Sequence, residues 1–214
     1  MYFIQKKQRL IKIVAFVLWA IIFSSITSCA PKEDKVYRQR IAAERIAMNE
    51  QFFNPKETPL DSLNFYTFRG LKFFPIQEKY RVKATLTLLV NEAVFNLPHS
   101  HDQTKPYKNY AIAKFELDGK NFELMVLEQV EKKPGNENYL LLPFWDQTNN
   151  KETYGGGRYI DLDKSEGKNI IIDFNKAYHP YCAYNSKYTC PIPPPQNKMN
   201  VAIEAGIRQE IIEK

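Results

Sequence analysis

The stretch Tyr80-Arg81-Val82-Lys83-Ala84-Thr85-Leu86-Thr87-Leu88-Leu89-Val90 sets the fold. Tyr80, Val82, Ala84, Leu86, Leu88 and Val90 alternate with Arg81, Lys83, Thr85 and Thr87, and a period of two gives a strand one dry and one wet face. The same reading spreads downstream. Asp118-Gly119 separates the runs 111–117 and 122–130, where a two-residue turn with positive φ makes a hairpin. Further strands are expected over 139–144, 158–162, 170–174 and 199–203, parted by turn-rich segments such as Lys133-Pro134-Gly135-Asn136. Many short strands and few helices predict a mainly β fold, an antiparallel β-sandwich or barrel-like domain. Periodicity does not choose between the two. Upstream, 33–51 holds no Gly or Pro, and Tyr37, Ile41, Met48 and Phe52 fall near one helical stripe. An N-terminal α-helix is therefore expected to pack on the domain, ended by Pro55 and Pro59.

The beginning of the chain reads as an address. Lys6, Lys7, Arg9 and Lys12 precede an apolar run over 13–23, and small residues lead to Cys29, the three-part layout of an export signal. The run falls short of the about 20 apolar residues a membrane span needs. Ile26-Thr27-Ser28-Cys29 resembles a bacterial lipobox, which implies cleavage before Cys29 and acylation of that cysteine; two or three acyl chains anchor firmly where one binds marginally. Lys32-Glu33-Asp34 resembles a surface-export signal of some Gram-negative lipoproteins, but reads more readily as the solvated start of the following helix. The expected organisation is a signal peptide over 1–28, a lipidated tether over 29–35 and one mainly β domain over 36–214. The location implied is the bacterial cell envelope, with the protein anchored in the bilayer through acylated Cys29 and facing the periplasm or the cell surface.

The leader also inflates the charge. The chain carries +6, but its first 28 residues hold four basic residues and no acid, leaving +2 on the remaining 186 residues. A basic balance this small gives no footprint for nucleic acid. The mature length suits one well-buried domain.

The densest chemistry lies over 144–197, where PFWDQT, ETYGGGRY, DFNKAYHPYCAYN and YTCPIPPPQNKM follow one another. With TPL at 58–60 and FRGLKFFP at 68–75, these segments resemble the bacterial and archaeal family known as domain of unknown function 1684 across nearly all of the mature chain. The resemblance implies kinship without an assigned activity. Two positions depart from the family pattern: His179 stands where it usually carries Asn before Pro-Tyr-Cys, and Ile207 where it often carries Glu after Ala-Gly.

Each candidate residue has a chemical and a structural reading. Gly155-Gly156-Gly157-Arg158 offers amides and a guanidinium to an anion, or a tight turn before a strand whose Arg158 pairs with a carboxylate; no Walker pattern surrounds it. Asp173 and Asn175 emerge where an apolar strand meets a loop, a common place for binding groups and for loop-closing side chains, and Arg158 is the expected partner of Asp173. Cys182 and Cys190, the two cysteines besides Cys29, are expected to form a disulfide worth about 2–3 kcal/mol. A zinc site with His179 lacks a second ligand pair, and a thiol nucleophile lacks a base. In an extended segment His99 and His101 would share a face as metal ligands do, yet Pro98 and the polar residues after it favour a loop. Tyr178, Tyr181, Tyr184 and Tyr188, with Pro-rich neighbours, supply either a stacking surface or a locked cover for a sheet edge.

Two classes of function follow. The first is a non-catalytic envelope protein binding a small ligand, glycan or partner through 154–158 and 173–197, with Tyr154, Arg158, Asp173, Asn175, Tyr181, Tyr184 and Asn197 as candidate contacts. The second is a hydrolase-like enzyme using Asp146, Glu152 or Asp173 as acid/base groups, with Arg158 orienting an anionic substrate. No catalytic, metal or cofactor motif supports the second.

Overall fold

The computed structural model describes residues 35–209. A 19-residue helix, α1 (Lys35–Phe53), opens it. It buries Tyr37, Ile41 and Phe52 and half-buries Met48, the stripe expected from spacing. A short helix, α2 (Ser62–Thr67), follows, with Asp61 accepting the Asn64 amide as its N-cap. Asp at this position satisfies one of the orphan amides of a first helical turn.

The strands are β1 (Lys72–Phe73), β2 (Arg81–Leu88), β3 (Phe95–Pro98), β4 (Thr104–Leu117), β5 (Lys120–Gln129), β6 (Tyr139–Phe144), β7 (Arg158–Asp163), β8 (Asn169–Asp173) and β9 (Ile207–Arg208). Strand order in the main sheet is β7-β6-β5-β4-β2-β8, with β3 added to β4, and β1 pairs β9 apart from it. Every pairing between these strands is antiparallel. The main sheet curls into a nearly closed barrel. Its two ends meet where Tyr159 of β7 and Tyr178, just past β8, exchange both backbone hydrogen bonds at 3.0 Å.

Inside the barrel stand the dry rows. Val82, Ala84 and Leu86 of β2 meet Ala111, Ala113 and Phe115 of β4, Leu140 and Leu142 of β6, and Ile170 and Ile172 of β8 in one cluster. Side chains fill the interior, so the barrel is a packed core rather than a channel. Asp118 and Gly119 turn β4 into β5 with φ of 48° and 72°, the paired positive values that match strand twist.

Residues 199–203, expected as a strand, run beside 145–147 without forming one. Met199 donates to the Trp145 carbonyl at 2.8 Å and Gln147 to that of Val201 at 2.9 Å. This segment packs on the barrel, with Met199 and Ile203, and Ala205 just beyond it, entering the core.

A second apolar cluster lies outside the barrel. Leu97, Tyr107, Leu127, Leu141, Tyr159 and Cys190 form it. Its roof is the loop from 178 to 192, tied to the edge of β3 by Ser100 N–H to the Cys190 carbonyl (2.9 Å) and Ile192 N–H to that of Pro98 (2.8 Å). Tyr159 adds a hydroxyl bond to the Pro191 carbonyl.

Candidate functional site

Arg158 opens β7 with its side chain directed into the protein, fully buried. Gly157 before it has φ of +93°, and a Cβ there would lie 2.7 Å from the Phe144 carbonyl oxygen; only glycine allows the turn that aims Arg158 inward. The guanidinium donates to Asp146 Oδ2 at 2.7 Å and to the carbonyls of Ile203 (2.7 Å), Ala205 (2.5 Å) and Ile207 (3.3 Å). Asp146, not Asp173, is therefore its partner, which corrects the expected pairing. The reason is topological: Asp146 lies just past β6, beside β7 in the sheet, whereas Asp173 ends β8 beside β2. Arg158 pegs the C-terminal run to the barrel.

Asp173 and Asn175 are anchors as well. Both Asp173 oxygens accept the Tyr37 hydroxyl, at 2.9 and 3.0 Å, and Oδ1 caps the Asn175 amide. Asn175 exchanges bonds with the Gln77 backbone, accepting at 3.0 Å and donating at 2.8 Å. Together they hold α1 and residue 77 to the barrel. Asn197, with no exposed surface, accepts the Met125 amide at 2.6 Å and donates to the carbonyls of Met125 and Pro143. Such complete satisfaction is what burial of an amide side chain demands. These three expected contact residues thus bond within the scaffold.

Tyr154, His179, Cys182 and Tyr184 converge. His179 is buried, and its Nε2 accepts the Tyr154 amide at 3.1 Å while Nδ1 faces the Tyr184 hydroxyl at 3.5 Å. Burial, reinforced by the nearby Arg158 charge, pushes its pKa down to about 3, so the ring is neutral and its lone pair is occupied. His99 is buried on Leu97, while His101 is exposed in a turn of positive φ; the two do not share a face.

The expected disulfide is not present. Cys182 and Cys190 are free thiols, with the Cys182 amide donating to Cys190 Sγ at 3.2 Å. Hydrogen bonds from the Cys190 thiol foremost, then from Ser100 and Tyr154, favour a Cys182 thiolate and lower its pKa to about 6 against desolvation. A thiol so poised is the more reactive of the pair.

Around these residues the roof loop encloses a groove of about 660 Å³ on the outer face of the barrel. Its floor comes from β4 to β7, with Tyr107, Tyr139, Leu141, Tyr159 and Asp161; Tyr178, Tyr181, Tyr184 and Tyr188 form the walls, and Phe52 of α1 closes one side. Rings brace each other: Tyr159 and Tyr178 meet edge to face with centroids 5.8 Å apart, as do Phe52 and Tyr184 at 4.8 Å. Gln51 donates to the Tyr181 hydroxyl at 2.8 Å.

Two acids line this groove, the exposed Glu131 and Asp161, and the tyrosines converge on Asp161. Tyr139 and Tyr178 donate their hydroxyls to its Oδ1 at 3.0 and 2.5 Å. Solvent reaches the residue, yet surrounding groups desolvate its carboxylate and raise its pKa against the opposing effect of the two phenols. Sequence reading missed it, because RYIDLD presents Asp161 as one more wet-face residue. The available signal was the outward row of β6 and β7, where Tyr139, Leu141, Tyr159 and Asp161 share one face once register is known.

A smaller cleft of about 320 Å³ adjoins at His179 and Tyr184. Arg69, Lys72 and Arg208 line it with Tyr154. Tyr154, Tyr181 and Tyr184 are thus the expected contact residues that the structure places on open clefts.

A small antiparallel β-barrel with an aromatic groove on its outside is the class these features define. The chain belongs to the family described as protein of unknown function (DUF1684), which matches residues 66–208. It is similar to an uncharacterized protein of Haloarcula marismortui with a solution NMR structure, at 32% identity and a TM-score of 0.66, over 85% of this chain and 99% of that one. No curated protein matches.

Proposed function

We propose that the protein is a non-catalytic binding module of the cell envelope that takes a small ring-bearing ligand in the groove floored by Tyr139, Tyr159 and Asp161. The observation that carries this reading is the groove itself, about 660 Å³ of braced tyrosines around the Asp161 carboxylate. Its size falls within the about 300–1,000 Å³ of small-molecule sites, and convergent polar groups in an apolar wall are their usual chemistry. The hydrolase alternative draws no support from Asp146, Arg158 or Asp173, whose bonds run to one another's scaffolds rather than to a cleft.

Ligand-observed NMR on the full chain, with a mixture of neutral, anionic and cationic ring compounds, tests it. Binding is expected, lost in Tyr178→Ala and kept in Arg69→Ala. The reverse pattern would move the site to the smaller cleft, and no binding at all would remove the reading.

The anchor belongs to the same proposal. Cys29 lies outside the described residues, and the support is the lipobox-like Ile26-Thr27-Ser28-Cys29. Expressed in a Gram-negative host, the full chain should enter the detergent phase on Triton X-114 partition and Cys29→Ser should not. Equal partition of the two would sink the anchor.

A further inference from the structure

Resting on the groove as the ligand site, we infer that its ligand is an organic cation, with an ammonium group against Asp161 and its alkyl or aryl substituents against the tyrosine rings. The first ground is how Asp161 is bonded. Both phenols that reach it share Oδ1, and among the described residues nothing donates to Oδ2. Among those residues no lysine, arginine or histidine forms an ion pair with it either. The phenols take up one oxygen of the carboxylate and leave the other open and without a counter-charge, so a cation gains an attraction there that a neutral molecule does not.

The second ground is the wall. Tyrosine faces carry the negative pole of the ring quadrupole, and several rings around one cation are the arrangement by which alkylated ammonium groups are recognised. Tyr139 and Tyr178 are held at Asp161 by their own hydroxyls, and Tyr159 is fixed edge to face on Tyr178. These rings are held in place before a ligand arrives, which spares the entropy of ordering them.

The basic residues of the groove do not oppose this. Lys132 is tied to Glu128 at 2.9 Å. Lys105 lies towards His99 and Cys190. Lys133 is exposed.

Calorimetric or NMR titration of the full chain with benzyltrimethylammonium, (3-hydroxyphenyl)trimethylammonium and the latter's neutral isostere 3-tert-butylphenol tests the inference. The cations should bind at least about tenfold more tightly than the isostere, as cation–π contact together with a charge partner provides. Asp161→Asn, checked for native near-UV circular dichroism, should bring the cations down to the isostere's level. Equal binding of cation and isostere, lost in Tyr178→Ala, would overturn the cation and leave the groove. Preference for anionic rings in the same site would do likewise. Failure of every compound, here and in the wider ring mixture, would take the groove reading down with it.

Discussion

Arg158→Met should destabilise the domain by about 3–5 kcal/mol, the loss that follows when one member of a buried ion pair is removed. The guanidinium bonds four acceptors on two segments that are far apart in sequence, Asp146 on one side and the carbonyls of Ile203, Ala205 and Ile207 on the other. Methionine fills much of the volume and replaces none of these bonds. Asp146 keeps the Thr148 amide at 2.8 Å and that of Ile203 at 3.3 Å, but its charge is left without a cation in a dry site. Lysine is no remedy, since one ammonium cannot reach carbonyls and carboxylate with the guanidinium's planar fork. Urea unfolding at neutral pH measures the effect. A loss under about 1 kcal/mol, the size of an exposed pair's contribution, would show that Arg158 is not the peg.

His179 gives the second large effect, and it depends on pH. An unfolded chain takes up a proton on histidine near pH 6.5, whereas the folded protein refuses it until about 3, because burial and Arg158 oppose a charged ring. The folded state therefore loses stability as pH falls from 6.5 towards 3. At pH 4.5 the loss from this one group is about 2–3 kcal/mol. His179→Asn, which installs the residue the family pattern usually carries, lets the amide oxygen accept from Tyr154 and its nitrogen donate to Tyr184, with no proton to gain. Urea midpoints at pH 7 and 4.5 should converge less in the wild type than in the variant. If both lose the same stability on acidification, His179 is not held neutral by its surroundings.

How much of this was written in the chain differs from element to element. Tyr80 to Leu88 announced β2 because one face of the sheet is dry and the other wet, and Asp118-Gly119 announced its hairpin because few residue pairs accept two positive φ values. Closure of the barrel was not legible. It rests on one backbone pair, Tyr159 with Tyr178, and backbone bonds leave no side-chain period. The partner of Arg158 was missed for a related cause, since pairing across a sheet follows strand order rather than sequence distance. For Asp161 the residue was plain and its neighbours were not. Tyr139 and Tyr178 come 22 residues before it and 17 after, and only the fold brings their hydroxyls to one oxygen. The tyrosine-rich loop around Cys182 and Cys190 was readable as a site, and the structure sets it over the outer face of β5 to β7.

The groove is the claim on which the functional account rests, and amide chemical-shift mapping of the isotopically labelled full chain with its tightest ring-bearing binder tests it most directly. The account predicts shifts at Tyr139, Tyr159, Asp161 and 178–188, with Arg158, Asp146 and Asn197 unmoved. Shifts centred on Arg69, Lys72 and Arg208, or on the Arg158 cluster, would contradict it.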